Sequence, residues 1–158
     1  MSYLSLKSLH LLSMVLLFGT GLGSAFYKWM ADRSGDLRHI AWTNRQVVLA
    51  DWMFTAPTVI FQPVSGLVMI HLAHVPVSTP WVAASLFLYA VAGACWLPVV
   101  WLQIRMRDLS AQALDARSGL PPLYWCYARR WYWLGLPAFS AMAVIVLLMV
   151  FKPGGGSV

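Results

Sequence analysis

The side chains in this sequence that could do chemistry are few, and three of its four histidines share one end of long apolar runs. His10 lies near the start of the first run, about 9 Å below its outer end at 1.5 Å per helical residue. His71 and His74 lie at the far end of the second run, three residues apart and so on nearly one helix face. Consecutive helices are usually neighbours, which puts all three imidazoles in one leaflet on adjacent elements. Neutral imidazoles projecting from facing helices are how haem b is held in helical bundles. On that reading His10 and His71 ligate the iron, with His74 able to replace His71. Lys7 is one turn outward from His10 and could meet a haem propionate. Met14 is one turn inward on the same face and could line the ring. The same imidazoles with Met14 or Met69 would also suit Cu(I), since thioether and imidazole are soft or borderline ligands. A third reading stays open, in which the histidines are polar groups at headgroup level and hold no metal or cofactor. His39 falls in a connection and reads as a surface residue.

Asp51 is the one acidic residue inside an apolar run. A carboxylate in hydrocarbon is costly and normally finds a partner or a function. Arg105, at a comparable depth on the next element, is the expected partner in a structural ion pair, with Arg107 as the alternative. A role for Asp51 in proton uptake is the competing reading. Cys95 and Cys126 differ too much in depth for an easy disulfide and lack any zinc-type spacing. The sequence contains no phosphate-binding loop, no nucleophile elbow and no HExxH pair.

The elements that must position these residues follow from hydropathy. Apolar runs cover residues 4–29, 47–74, 81–104 and 125–151. Each exceeds the roughly 20 residues that a helix needs to cross a bilayer. In hydrocarbon every backbone polar group must be satisfied within its own segment, so the runs must be helices. Hydrophobic residues make up 60% of the chain and charged residues 10%, which leaves no separate soluble domain. The expected fold is an all-α, four-helix, up-down membrane bundle comprising one domain over residues 1–158, with a flexible tail from Lys152 and a helical extension of the third run to about residue 118.

The net charge of +6 is a topology signal. Lys28, Arg33, Arg38 and Arg45 flank the first connection. Arg105, Arg107, Arg117, Arg129 and Arg130 flank the third. The positive-inside rule then places both connections in the cytoplasm and both termini outside, in a bacterial inner membrane. Basic residues there meet anionic lipid headgroups rather than nucleic acid.

Local signals add detail. Gly19 and Gly23 form a small-xxx-small pair that lets another helix approach closely. Ser34-Gly35 reads as a helix end and Asp36 as the cap of the next segment. Pro57 and Pro63 should kink the second run. Gln62 could satisfy the carbonyl that Pro63 frees or bond to a neighbouring helix. Tyr124, Trp125, Tyr127, Trp131, Tyr132 and Trp133 read as an interfacial aromatic belt.

The stretches LKSLHLLSMVLLFGTGLG, VVLADWMFTAPTVIFQPVSG and GACWLPVVWLQIRMRDL, with LGLPAF and FKP, resemble a family of small bacterial integral-membrane proteins known as a domain of unknown function. The resemblance covers nearly the whole chain and implies the four-helix fold without an activity. Lys7, Leu9, His10 and Gly19 also resemble the start of haem-binding membrane protoporphyrinogen oxidases and of D-type copper-resistance membrane proteins. By that resemblance His10 is a candidate ligand. The oxidases carry a lysine shortly after a tryptophan in a later helix, whereas Trp81 here is followed by Val82, Ala83, Ala84 and Ser85.

These readings lead to three expectations. The first is a haem-b electron-transfer protein that exchanges electrons with a quinone or another membrane redox partner. The second is a cofactor-free accessory or assembly subunit of an oligomer or larger membrane complex. The third is a copper-binding membrane protein.

Overall fold

The computed structural model describes residues 2–153. The expected tail falls mostly on residues 154–158, which lie outside them. Four helices long and apolar enough to cross a membrane account for almost all the described chain: α1 (Tyr3–Ser34), α2 (Leu37–Leu72), α3 (Pro80–Asp115) and α4 (Pro122–Phe151). At 1.5 Å per residue the 32 residues of α1 span about 48 Å. That exceeds a hydrocarbon core of about 30 Å, so the helix ends reach beyond it. Long apolar side chains such as Leu12, Ile60, Phe87 and Val150 are exposed along the bundle, which suits a surface solvated by lipid.

Chain breaks follow local chemistry. Ser2 caps α1 by accepting from the Ser5 N–H. Gly35 ends α1 at φ 67°, a left-handed conformation that a residue without Cβ adopts at no steric cost. The Asp36 carboxylate then accepts from the Arg38 N–H and starts α2. Pro121 and Pro122 open α4, where a missing N–H costs nothing.

The two prolines of α2 are handled differently. Pro57 has no N–H for the Met53 carbonyl, and its ring crowds that carbonyl. The chain responds with a wide, π-helical turn over Asp51–Thr55, in which the Ala56 N–H bonds to the Asp51 carbonyl. Pro63 leaves the Val59 carbonyl without its helical donor. The Tyr89 hydroxyl, on α3, donates to that carbonyl. Gln62 takes the other course and donates to the His10 carbonyl on α1 at 3.0 Å.

The helices pair as two hairpins, α1 with α2 and α3 with α4. The hairpins meet chiefly where the first part of α2 packs against α3, whereas α1 and α4 approach each other closely at few places. A tight core of Ala31, Ile40, Val99, Leu102, Met106, Tyr124, Ala128 and Trp131 closes this basic end. Away from it the hairpins diverge, and cavities lie between them.

Candidate functional site

The larger cavity has a volume of about 340 Å³ and is lined by all four helices. Small residues make the space: Gly21, Ser24 and Ala25 on α1, Ala92 and Gly93 on α3, Gly135 and Ala138 on α4. A Cβ added at Gly21, Gly93 or Gly135 would meet nothing within 4 Å. Exposed Gly21, Leu22, Leu136 and Phe139 form a lip between α1 and α4, so the mouth opens sideways onto the lipid-facing surface. Phe18 and Phe139 meet edge to face across it, ring centroids 5.1 Å apart.

The inner end of this cavity is polar. Asp51 is buried at the wide turn of α2, and its carboxylate accepts one long bond, 3.4 Å, from the Trp96 indole N–H. Buried Gln103 Oε1 and Trp131 Nε1 have no hydrogen-bond partner. Unpaired buried polar atoms are uncommon in native structures and each costs roughly 1–3 kcal/mol. The residues Asp51, Gln103 and Trp131 border one space walled by the rings of Tyr89, Trp96, Trp131 and Tyr132.

The expected Asp51–Arg105 ion pair is not formed. Among the described residues the side-chain ion pairs are Lys28–Asp32 and Arg107–Asp108. Arg105 is exposed and lies over the Trp101 ring, 5.6 Å from its centroid. The buried face of α3 runs through Leu102, Met106, Ser110 and Ala113. Residue 105 is about 100° round the helix from Met106, so equal depth does not bring it to Asp51.

The histidines are not brought together either. His10 is buried, 5% exposed, with Nδ1 2.7 Å from Ser65 Oγ. His71 and His74 are exposed at the end of α2, and His74 sits at φ 54° beyond the helix. Ser65 marks the face of α2 turned toward His10. Residue 71 is rotated about 120° from that face and lies about 9 Å further along. Among the described residues no three His, Cys, Asp or Glu side chains could hold a metal. The described residues therefore assemble no three-histidine copper centre. Lys7 is exposed, while Met14 does share a small cavity with His10.

A second polar cluster escaped the sequence reading. Buried Lys28 donates to Asp32 at 2.9 Å and to the Tyr124 hydroxyl at 3.0 Å. Tyr124 donates to Asp32 at 2.6 Å and accepts from Asn44, which also donates to Ser110. Four helices meet in this clamp, and every hydrogen has an acceptor. Lys28 also lies 5.9 Å from the centre of the Trp131 ring, so the clamp abuts the inner end of the cavity. The i, i+4 spacing of Lys28 and Asp32 was the available signal. Tyr124, Asn44, Gln103 and Trp131 had none, because their roles depend on which face each helix turns inward.

This is an integral membrane protein whose four helices enclose a laterally open cavity with a polar end. The chain belongs to the predicted integral membrane protein family DUF2269, whose model matches residues 4–153. No curated protein and no solved structure matches it.

Proposed function

We propose that the chain is a membrane-embedded binding protein for a lipid-soluble carrier of the quinone/quinol class. The observation that carries this reading is that Asp51, Gln103 and Trp131, the last two holding buried polar atoms without a partner, all line one cavity open to lipid. The volume is in the range of small-molecule sites, which start near 300 Å³. A ligand entering from the bilayer must be apolar over most of its surface. A head that draws the Trp131 and Gln103 side chains toward it would accept from an indole N–H and donate to an amide oxygen, which a quinol does with its two hydroxyls. A planar ring also suits the aromatic walls, since stacked and edge-on aromatic pairs are favourable beyond their buried area.

Asp51 gives the site a group that can accept or release a proton next to the head. The long bond from Trp96 leaves part of its accepting capacity unused. Electron transfer needs a second redox centre, and in this reading a partner protein supplies it. Binding and presenting the carrier is this chain's own part.

Trp96 and Trp131 border the cavity and report on it directly. Titrating purified protein in lipid nanodiscs with a short-chain quinone should quench tryptophan fluorescence saturably, with one site per chain. Replacing Gln103→Leu should weaken quinol binding about tenfold, as expected for one hydrogen bond to a buried polar group, with a smaller effect on the quinone. Quenching that rises linearly with membrane quinone and is equal in the variant would reject the proposal. The cofactor-free accessory reading predicts that second result.

A further inference from the structure

A smaller cavity of about 70 Å³ lies beside His10, between the hairpins and farther from the basic end. Its lining includes three methionines, Met14 on α1 and Met142 and Met149 on α4. We propose that this cavity binds a soft monovalent metal ion of the Cu(I) class, through His10 Nε2 and the thioethers of Met14 and Met149.

Two backbone carbonyls of its own helix, Phe61 at 2.6 Å and Gln62 at 3.2 Å, compete for the one hydroxyl hydrogen of Ser65, which favours one tautomer of His10. The Ser65 hydroxyl donates its one hydrogen to the Phe61 carbonyl at 2.6 Å. Toward His10 Nδ1, 2.7 Å away, it can then only accept. In that tautomer Nδ1 carries the ring proton, and Nε2 has a lone pair with no hydrogen-bond donor among the described residues. A neutral imidazole held by its far nitrogen is the arrangement found in metal-ligating histidines, where the supporting bond fixes tautomer and direction. The Gln62 amide reinforces this by anchoring the His10 backbone carbonyl.

The methionines fall at matching depths. The Phe18–Phe139 contact sets α1 against antiparallel α4. Eight residues outward on α1 is His10, and eight outward on α4 is residue 147. Met149 is thus within about 3 Å of the level of His10, and Met142 is about level with Met14. Three polar side chains at the cavity donate elsewhere: Ser85 to the Trp81 carbonyl, Tyr89 to the Val59 carbonyl, and the Gln62 amide N–H to His10. No carboxylate lines the space, which disfavours hard cations that need oxygen ligands. One imidazole nitrogen among thioethers selects a soft ion. The ligand set differs from the three-histidine arrangement, because Met14 and a methionine of α4 stand in place of His71 and His74.

The probe is Ag(I), a redox-inert stand-in for Cu(I), added to detergent-purified full-length protein. Thiols also take silver, so Cys95 and Cys126 are first replaced together, Cys95→Ser and Cys126→Ser. This protein should retain one Ag(I) per chain after passage over a competing chelator, with nitrogen and sulfur scatterers in X-ray absorption. Met14→Leu and Met149→Leu preserve volume and should each weaken retention about tenfold, and Ser65→Ala should do so through the ring orientation. The site is refuted if the cysteine-free protein holds no silver, or if the Met14→Leu/Met149→Leu double variant holds it as tightly as its parent. Neither result depends on quinone binding in the larger cavity.

Discussion

Lys28 shows how one residue serves differently from what its charge suggests. Counted among the basic residues of the first connection, it reads as a solvated topology signal. In the structure it is buried and tied to Asp32, Tyr124 and the rings around them. Removing one member of a buried ion pair leaves the other charge uncompensated, at about 3–5 kcal/mol. Lys28→Met should therefore destabilise the bundle by that order. Adding Asp32→Asn removes the stranded charge and keeps an acceptor for Tyr124, so the double variant should recover much of the loss. Thermal unfolding of both proteins in one detergent measures the difference. The clamp was legible only in its Lys28–Asp32 spacing, since Asn44, Ser110 and Tyr124 come from three other helices. His10 was legible as a functional candidate from its type and depth. Its true neighbours, Ser65 and the α4 methionines, were not, because depth in the membrane says nothing about rotation around the helix.

Among the elements, α2 carries the most information. Its prolines were readable as perturbations, but the outcome at each depended on the partner available. At Pro57 the helix widened, and Asp51 sits at the start of the wide turn beside the cavity. Such turns often occur at functional positions. At Pro63 the helix stayed intact because α3 supplied the Tyr89 hydroxyl to the Val59 carbonyl. That assignment makes a coupled prediction. Tyr89→Phe leaves a buried carbonyl unpaired and should cost about 1–3 kcal/mol. With Pro63→Ala in place, the new backbone N–H can reach that carbonyl. The same Tyr89→Phe change should then cost under about 1 kcal/mol. Unfolding the four proteins of this cycle by denaturant in micelles gives the coupling directly. Equal costs in both backgrounds would break the link between proline and tyrosine.

At the scale of the whole molecule, the sequence contained the four helices and their order. Long apolar stretches with few internal charges leave few alternatives in a bilayer. The divergence of the two hairpins was hidden, because lipid-facing and cavity-facing positions are both apolar. Gly19 and Gly23 read as packing glycines, and the structure shows open space beside both, as it does beside Gly21, Gly93 and Gly135. That space defines the proposed function, and filling it separates binding from folding. Gly135→Leu places a side chain in the cavity and removes a helix-interior glycine, which costs roughly 1 kcal/mol relative to alanine. The variant should be at least as stable as the parent and should not bind the carrier. The most direct measurement is photo-crosslinking with an azido-quinone in nanodiscs, followed by peptide mapping. Binding in the cavity predicts labelling at residues 17–25 of α1 and 131–142 of α4, suppressed by excess unlabelled quinone and absent in Gly135→Leu. Labelling spread over outward positions such as Trp133 and Phe151, unaffected by competitor and retained in Gly135→Leu, would contradict it.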